Sequence, residues 1–119
     1  MRLDRSLLML LRAIIGAQIV LGVGFWTGHW HGLVDLHRGL GVIFVLVLWS
    51  IAGIALAGRR STGLAVFTIV WGLIIAGLGF SQQQILVGDL HWIVRVVHLA
   101  VALAAIPMGE RLAASTERR

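Results

Sequence analysis

Five histidines are the side chains in this sequence best suited to chemistry, and their spacing says more than their number. His29, His31 and His37 cluster early in the chain, whereas His91 and His98 stand seven residues apart near its end. Seven residues is about two helical turns, so the later pair shares one helix face with roughly 10 Å between the two along the axis. Past His98 the same face carries Ala102, Ala105 and Gly109, a strip of small residues on which a flat macrocycle can rest. A single histidine at a membrane surface is most simply an imidazole satisfied by water or a backbone carbonyl. Histidines on two facing helices are a different matter, because neutral imidazoles so placed suit the axial positions of a buried haem iron.

The remaining chemistry is sparse. There is no cysteine, hence no disulfide, iron–sulfur cluster or thiolate metal site, and there is neither lysine nor tyrosine. His29-Trp-His31 with Asp35 or Asp89 offers an alternative, a zinc set of nitrogen and oxygen ligands, although the His-x-His sits in a loop beside water. Arg38 and Arg95 flank the His37/His98 pair. They would contact lipid headgroups or pair with the carboxylates of a bound cofactor, which guanidinium holds well. Trp26, Trp30 and Trp92 read as an outer aromatic belt.

The elements that must position these groups are membrane helices. The chain has 119 residues, of which 59% are hydrophobic and 13% charged, and its mean hydropathy is +0.95. A globule of that size cannot hide so much apolar side chain, so a soluble monomer is excluded. The pattern predicts a single all-α transmembrane domain over 1–119, an integral membrane four-helix bundle with helices near 6–26, 35–57, 63–80 and 91–108. Residues 58–62 read as a tight turn, while the other two connections are longer and polar. Pro107 is expected to kink or end the last helix, with Gly109-Glu110 changing direction before a short amphipathic tail.

Charge orients the bundle. Arg2, Arg5, Arg12, Arg59, Arg60, Arg111, Arg118 and Arg119 fall on one side, and only Arg38 and Arg95 on the other. The positive-inside rule then places both termini in the cytoplasm of a cell whose plasma membrane holds the protein, with all five histidines toward the outside. The net charge of +5 thus reads as topology, and nucleic-acid binding is set aside. The first apolar run, about 20 residues without a following A-x-A site, reads as a retained span and not a cleaved leader.

The layout also repeats. Gly22-Val-Gly-Phe25 and Gly77-Leu-Gly-Phe80 each end a helix, and Asp-Leu-His at 35–37 and 89–91 precedes the next, so the bundle reads as two similar helical hairpins. The many small residues within the spans allow either close helix–helix contact or room for a large flat ligand.

Three stretches, Ala17-Gln-Ile-Val-Leu-Gly-Val-Gly-Phe-Trp-Thr-Gly28, Leu36-His-Arg-Gly-Leu-Gly41 and Val97-His-Leu-Ala-Val-Ala-Leu103, resemble segments of heme A synthase. That family has two four-helix halves, each with a histidine at the outer end of its second and fourth helices; this chain is similar in extent to one half. The resemblance implies His37 and His98 as the second- and fourth-helix ligands of a haem b iron. The residues expected around that cofactor, read from their own positions, are Arg38 and Arg95 with the small residues Gly41 and Ala102. It also carries two departures. The catalytic half has a Glu three residues before the second-helix histidine, where this chain has Val34 with Asp35 next to it, and often a cysteine pair in the first outer loop, absent here. The similarity is therefore to the half that holds haem b.

The expectation is a membrane-embedded bis-His cytochrome for electron transfer or haem handling at the outer face, with no catalytic residue assigned. His91 is the reserve for His98. Beyond the lipid bilayer, the partners that would suit it are a second copy of the chain, a larger respiratory complex, a quinone or a redox protein. A half-size heme A synthase acting as a homodimer, with Asp35 replacing the missing Glu, and a structural subunit without haem are the alternatives.

Overall fold

The computed structural model describes residues 2–117. Most of them lie in four helices, α1 (Arg2–Trp26), α2 (Val34–Ala57), α3 (Thr62–Ser81) and α4 (His91–Glu117), and no strand is present among the described residues. Each of the longer connections contains a 3-10 turn, His31–Leu33 before α2 and Gln82–Gln84 after α3. All four helices are long and apolar enough to cross a membrane, and none buries more than 39% of its most apolar window inside the protein. The large side chains left outside, such as Val20, Leu46, Leu73 and Leu103, need lipid to cover them, as a multi-pass membrane protein requires.

The core is built around α2, which packs against the other three helices. Its face carrying Phe44, Leu48, Ile51, Ala52 and Ala55 is buried. α1 and α3 flank it, and α4 closes the bundle by packing on both of them and on α2 across the diagonal. Without a hydrophobic gain from leaving lipid, such helices associate through close packing and polar contacts. Two indoles provide the latter: Trp49 Nε1 on α2 donates to the Ile69 carbonyl on α3 at 3.0 Å, and Trp71 Nε1 on α3 donates to the Val101 carbonyl on α4 at 2.8 Å. Gly72 makes room for the first, since a Cβ there would overlap the Trp49 ring.

The end of the bundle that holds both termini corrects the sequence reading. α4 does not stop at residue 108 but runs through Pro107 to Glu117, and α1 begins at Arg2, four residues ahead of the expected start. Proline forfeits one intrahelical hydrogen bond, a loss that neighbouring helices can offset in a packed bundle. Beyond Pro107 the helix is held by packing: Gly109 brings α4 against α1, where a Cβ would come within 2.9 Å of Leu11 Cδ2, and Leu112 and Ala113 are buried. In place of a free amphipathic tail there is a polar clasp. Arg12 on α1 donates through Nε and Nη2 to Glu110 Oε1 at 3.1 and 2.5 Å, and the Thr116 hydroxyl donates to the buried carboxylate of Asp4.

Candidate functional site

At the opposite end the four helices part around a cavity of about 370 Å³. That volume lies within the roughly 300–1,000 Å³ that small-molecule sites occupy. Every helix contributes a face to it. α1 supplies Gln18, Gly22 and Phe25, α2 supplies His37, Arg38 and Gly41, α3 supplies Ala76 and Gly79, and α4 supplies His91, Arg95, His98 and Ala102. The spacing of three and four residues along each helix is what brings these side chains to one interior face. All the positions expected to surround a cofactor, together with the reserve His91, thus line a single space.

The two candidate ligands sit in it as unsatisfied polar groups. Nδ1 of His37 and Nδ1 of His98 are buried and have no hydrogen-bond partner. A buried polar atom without a partner costs roughly 1–3 kcal/mol, so each calls for an explanation. His91 differs: its Nδ1 is 3.1 Å from the Ile85 carbonyl at the surface. That contact ties the ring to the outer loop and separates its role from that of His98, two turns further in.

Two residues not singled out from the sequence hold His37 from the α1 side. Gln18 Nε2 donates to the His37 carbonyl at 2.9 Å, through the space left by Gly41, while its own Oε1 is buried without a partner. The Phe25 ring meets the His37 imidazole edge-on, with centroids 5.3 Å apart and planes at 86°. Gln18 was legible in principle, being the one polar side chain between Ala13 and Trp26. Phe25 carries no such signal, because an aromatic at a helix end is indistinguishable from lipid-facing bulk.

The mouth is polar and cationic. Arg38 reaches Gln83 Oε1 at 3.4 Å and Asp35 at 4.0 Å, and Arg95 has no acidic partner among the described residues. No Asp or Glu lines the cavity. Asp35 has 97% of its side-chain surface exposed, so it is not placed to manage protons inside the cavity. Trp26, expected only as part of the aromatic belt, also lines the cavity, whereas Trp30 folds back over Gly24.

These residues fit a haem. Two imidazoles come from helices that meet across the diagonal, the walls are apolar, with Gly22, Gly41, Ala76, Gly79 and Ala102 among larger residues such as Phe25, Phe44 and Phe80, and the two guanidiniums of Arg38 and Arg95 suit the carboxylates such a group carries. Gly79 leaves ordinary contact space beside the His98 ring, at 3.7 Å from where a Cβ would stand. The supporting strip is shorter than expected: Ala102 lines the cavity, but Ala105 and Gly109 are buried in the helix packing below it. The zinc alternative is not assembled, since no three His, Asp or Glu side chains come together among the described residues. No protein-family model matches the sequence, and no match is found among curated proteins or solved structures.

Proposed function

We propose that the chain is a membrane cytochrome, holding one b-type haem between His37 and His98 for electron transfer or haem handling near the outer membrane surface. The observation that carries this reading is that His37 and His98 line one cavity from two helices and neither imidazole has a hydrogen-bond partner for its Nδ1. When bound, such a group supplies one-electron redox chemistry. The protein's own residues do the rest. His37 and His98 hold the iron, Gln18 and Phe25 fix His37 from behind, and Arg38 and Arg95 neutralise the propionates. Gly41, Gly79 and Ala102 give the macrocycle room. The resemblance of the three quoted stretches to the haem b-holding half of heme A synthase supports the same ligand pair. Its electron partner would be a quinone or redox protein reaching the outer mouth, with a second copy or a respiratory complex as the assembly that brings it there.

Absorption spectra of the purified chain, oxidised and dithionite-reduced, test the proposal. A Soret band with sharp α and β bands on reduction is expected; a protein of full helical content that binds no haem would leave the structural-subunit reading. Conversion of haem O to haem A by the chain, abolished in Asp35→Asn, would replace the cytochrome by a half-size heme A synthase.

The same reading places both termini in the cytoplasm of a cell bounded by this membrane, from the arginine asymmetry. In intact cells, a thiol reagent that cannot cross membranes should label Thr27→Cys and miss Ser61→Cys. The reverse pattern would put the mouth of the cavity on the cytoplasmic side.

A further inference from the structure

Four of the five histidines line this cavity, and they do so at two depths. His37 and His98 lie within it with their Nδ1 atoms buried. His31 is exposed in the 3-10 turn before α2, and His91 opens α4 with its Nδ1 near the Ile85 carbonyl at the surface. The two depths are linked on both sides. On α4, His91 and His98 share a face two turns apart, about 10 Å. On the other side a single aromatic ring intervenes: His31 stacks on Phe25 with centroids 6.5 Å apart and planes at 18°, and the Phe25 ring in turn meets His37. Each deep imidazole therefore has an outer counterpart one short step toward the surface, along one continuous lining.

We propose that His31 and His91 form an outer station for the same iron macrocycle, which receives it from outside and passes it inward to His37 and His98. The inference rests on the haem reading of the deep pair. Each handover replaces one neutral imidazole nitrogen by another at the metal, so neither charge nor oxidation state changes and no co-reactant is needed. Phe25 offers an apolar ring face between the outer and inner imidazoles on one side, and Arg95, between His91 and His98 on their shared helix, offers a guanidinium to a carboxylate on the other. The hydrogen bond at His91 Nδ1 leaves Nε2 as the nitrogen available to a metal.

The test is stopped-flow mixing of haemin with the haem-free full chain in lipid nanodiscs, followed by absorbance. Wild type should show a fast phase to a distinct spectral species, then slower conversion to the final low-spin spectrum. The His31→Gln/His91→Gln double variant should lose the fast phase and load more slowly by at least about tenfold, the loss of a local-concentration advantage, yet reach the same final spectrum. That shared end point shows that the variant is folded. In His37→Ala/His98→Ala the fast species should form and persist. Single-phase loading of wild type, matched in rate by the outer double variant, overturns the outer station and leaves the deep site standing. Failure of wild type to acquire a low-spin spectrum overturns the deep site as well. A low-spin end point that survives His37→Ala/His98→Ala but vanishes in His31→Gln/His91→Gln makes the mouth the only binding site and overturns the handover.

Discussion

Replacing His98 by alanine should remove the low-spin spectrum of the reduced protein altogether, and His37→Ala should do the same. Six-coordinate low-spin iron needs both imidazoles, and the structure offers no substitute at the depth of either one. His91 is two turns further out, its ring tied by hydrogen bonding to the Ile85 carbonyl. No carboxylate and no sulfur lines the cavity to take an axial place. Each variant should therefore lose the sharp α and β bands, keeping haem only in a five-coordinate, high-spin form or as the outer species at the mouth, while His91→Ala keeps those bands. Neither substitution should unfold the bundle, because each truncates a half-buried imidazole at the cavity wall and leaves the buried helix contacts of Phe44, Leu48, Ile51 and Ala105 in place. Retention of the low-spin bands in His98→Ala, with their loss in His91→Ala, would move the α4 ligand outward by two turns.

That expectation shows how unevenly the molecule was written into its sequence. Runs of apolar residues about as long as a bilayer is thick leave little choice but membrane helices, so the four spans were legible to within a few residues at most of their ends. That His37 and Gly41 share a face of α2, and His91, Arg95, His98 and Ala102 a face of α4, was legible from helical spacing, whereas the meeting of those two faces at one cavity is set by how the helices pack. The inner end of α4 was not legible either. Pro107 and Gly109 are stop signals in an isolated helix, and only the neighbouring Leu11, Leu48 and Ile51 turn Gly109 into a point of contact. The same dependence on neighbours separates the glycines by use. Gly22, Gly41 and Gly79 line the cavity, while Gly72 and Gly109 are filled by Trp49 and Leu11 from other helices. A glycine in a sequence announces that something comes close; whether that is a ligand or a side chain is a property of the partner helix.

Gly72 gives the second large effect. In Gly72→Ala, the new Cβ would overlap Trp49 Nε1 and lie 3.0 Å from Cδ1, on a rigid ring in the middle of the α2–α3 contact. The indole cannot move aside without losing its 3.0 Å hydrogen bond to the Ile69 carbonyl. Overpacking of this kind costs about 1–3 kcal/mol, and an interhelical hydrogen bond in a membrane adds on average about 0.6 kcal/mol. The steric term dominates, so Trp49→Phe, which removes the bond but keeps a ring, should be much milder than Gly72→Ala. The pair should also be coupled: in Gly72→Ala/Trp49→Ala the methyl enters space the indole has left, and the double variant should be less destabilised than the two single losses added together, by 1 kcal/mol or more. Reversible unfolding in mixed micelles measures this, and strict additivity would mean that Gly72 and Trp49 do not share that space. The consequence reaches the cavity, because the two indoles form a chain from α2 through α3 to α4. Trp49 stands twelve residues inward of His37 on α2, and Trp71 bonds the carbonyl of Val101, three residues inward of His98 on α4. If those bonds set the separation of the two imidazoles, Gly72→Ala should broaden the low-spin bands or admit a high-spin fraction before the protein unfolds. Unchanged bands at reduced stability would instead assign the positioning of His37 to Gln18 and Phe25 on α1.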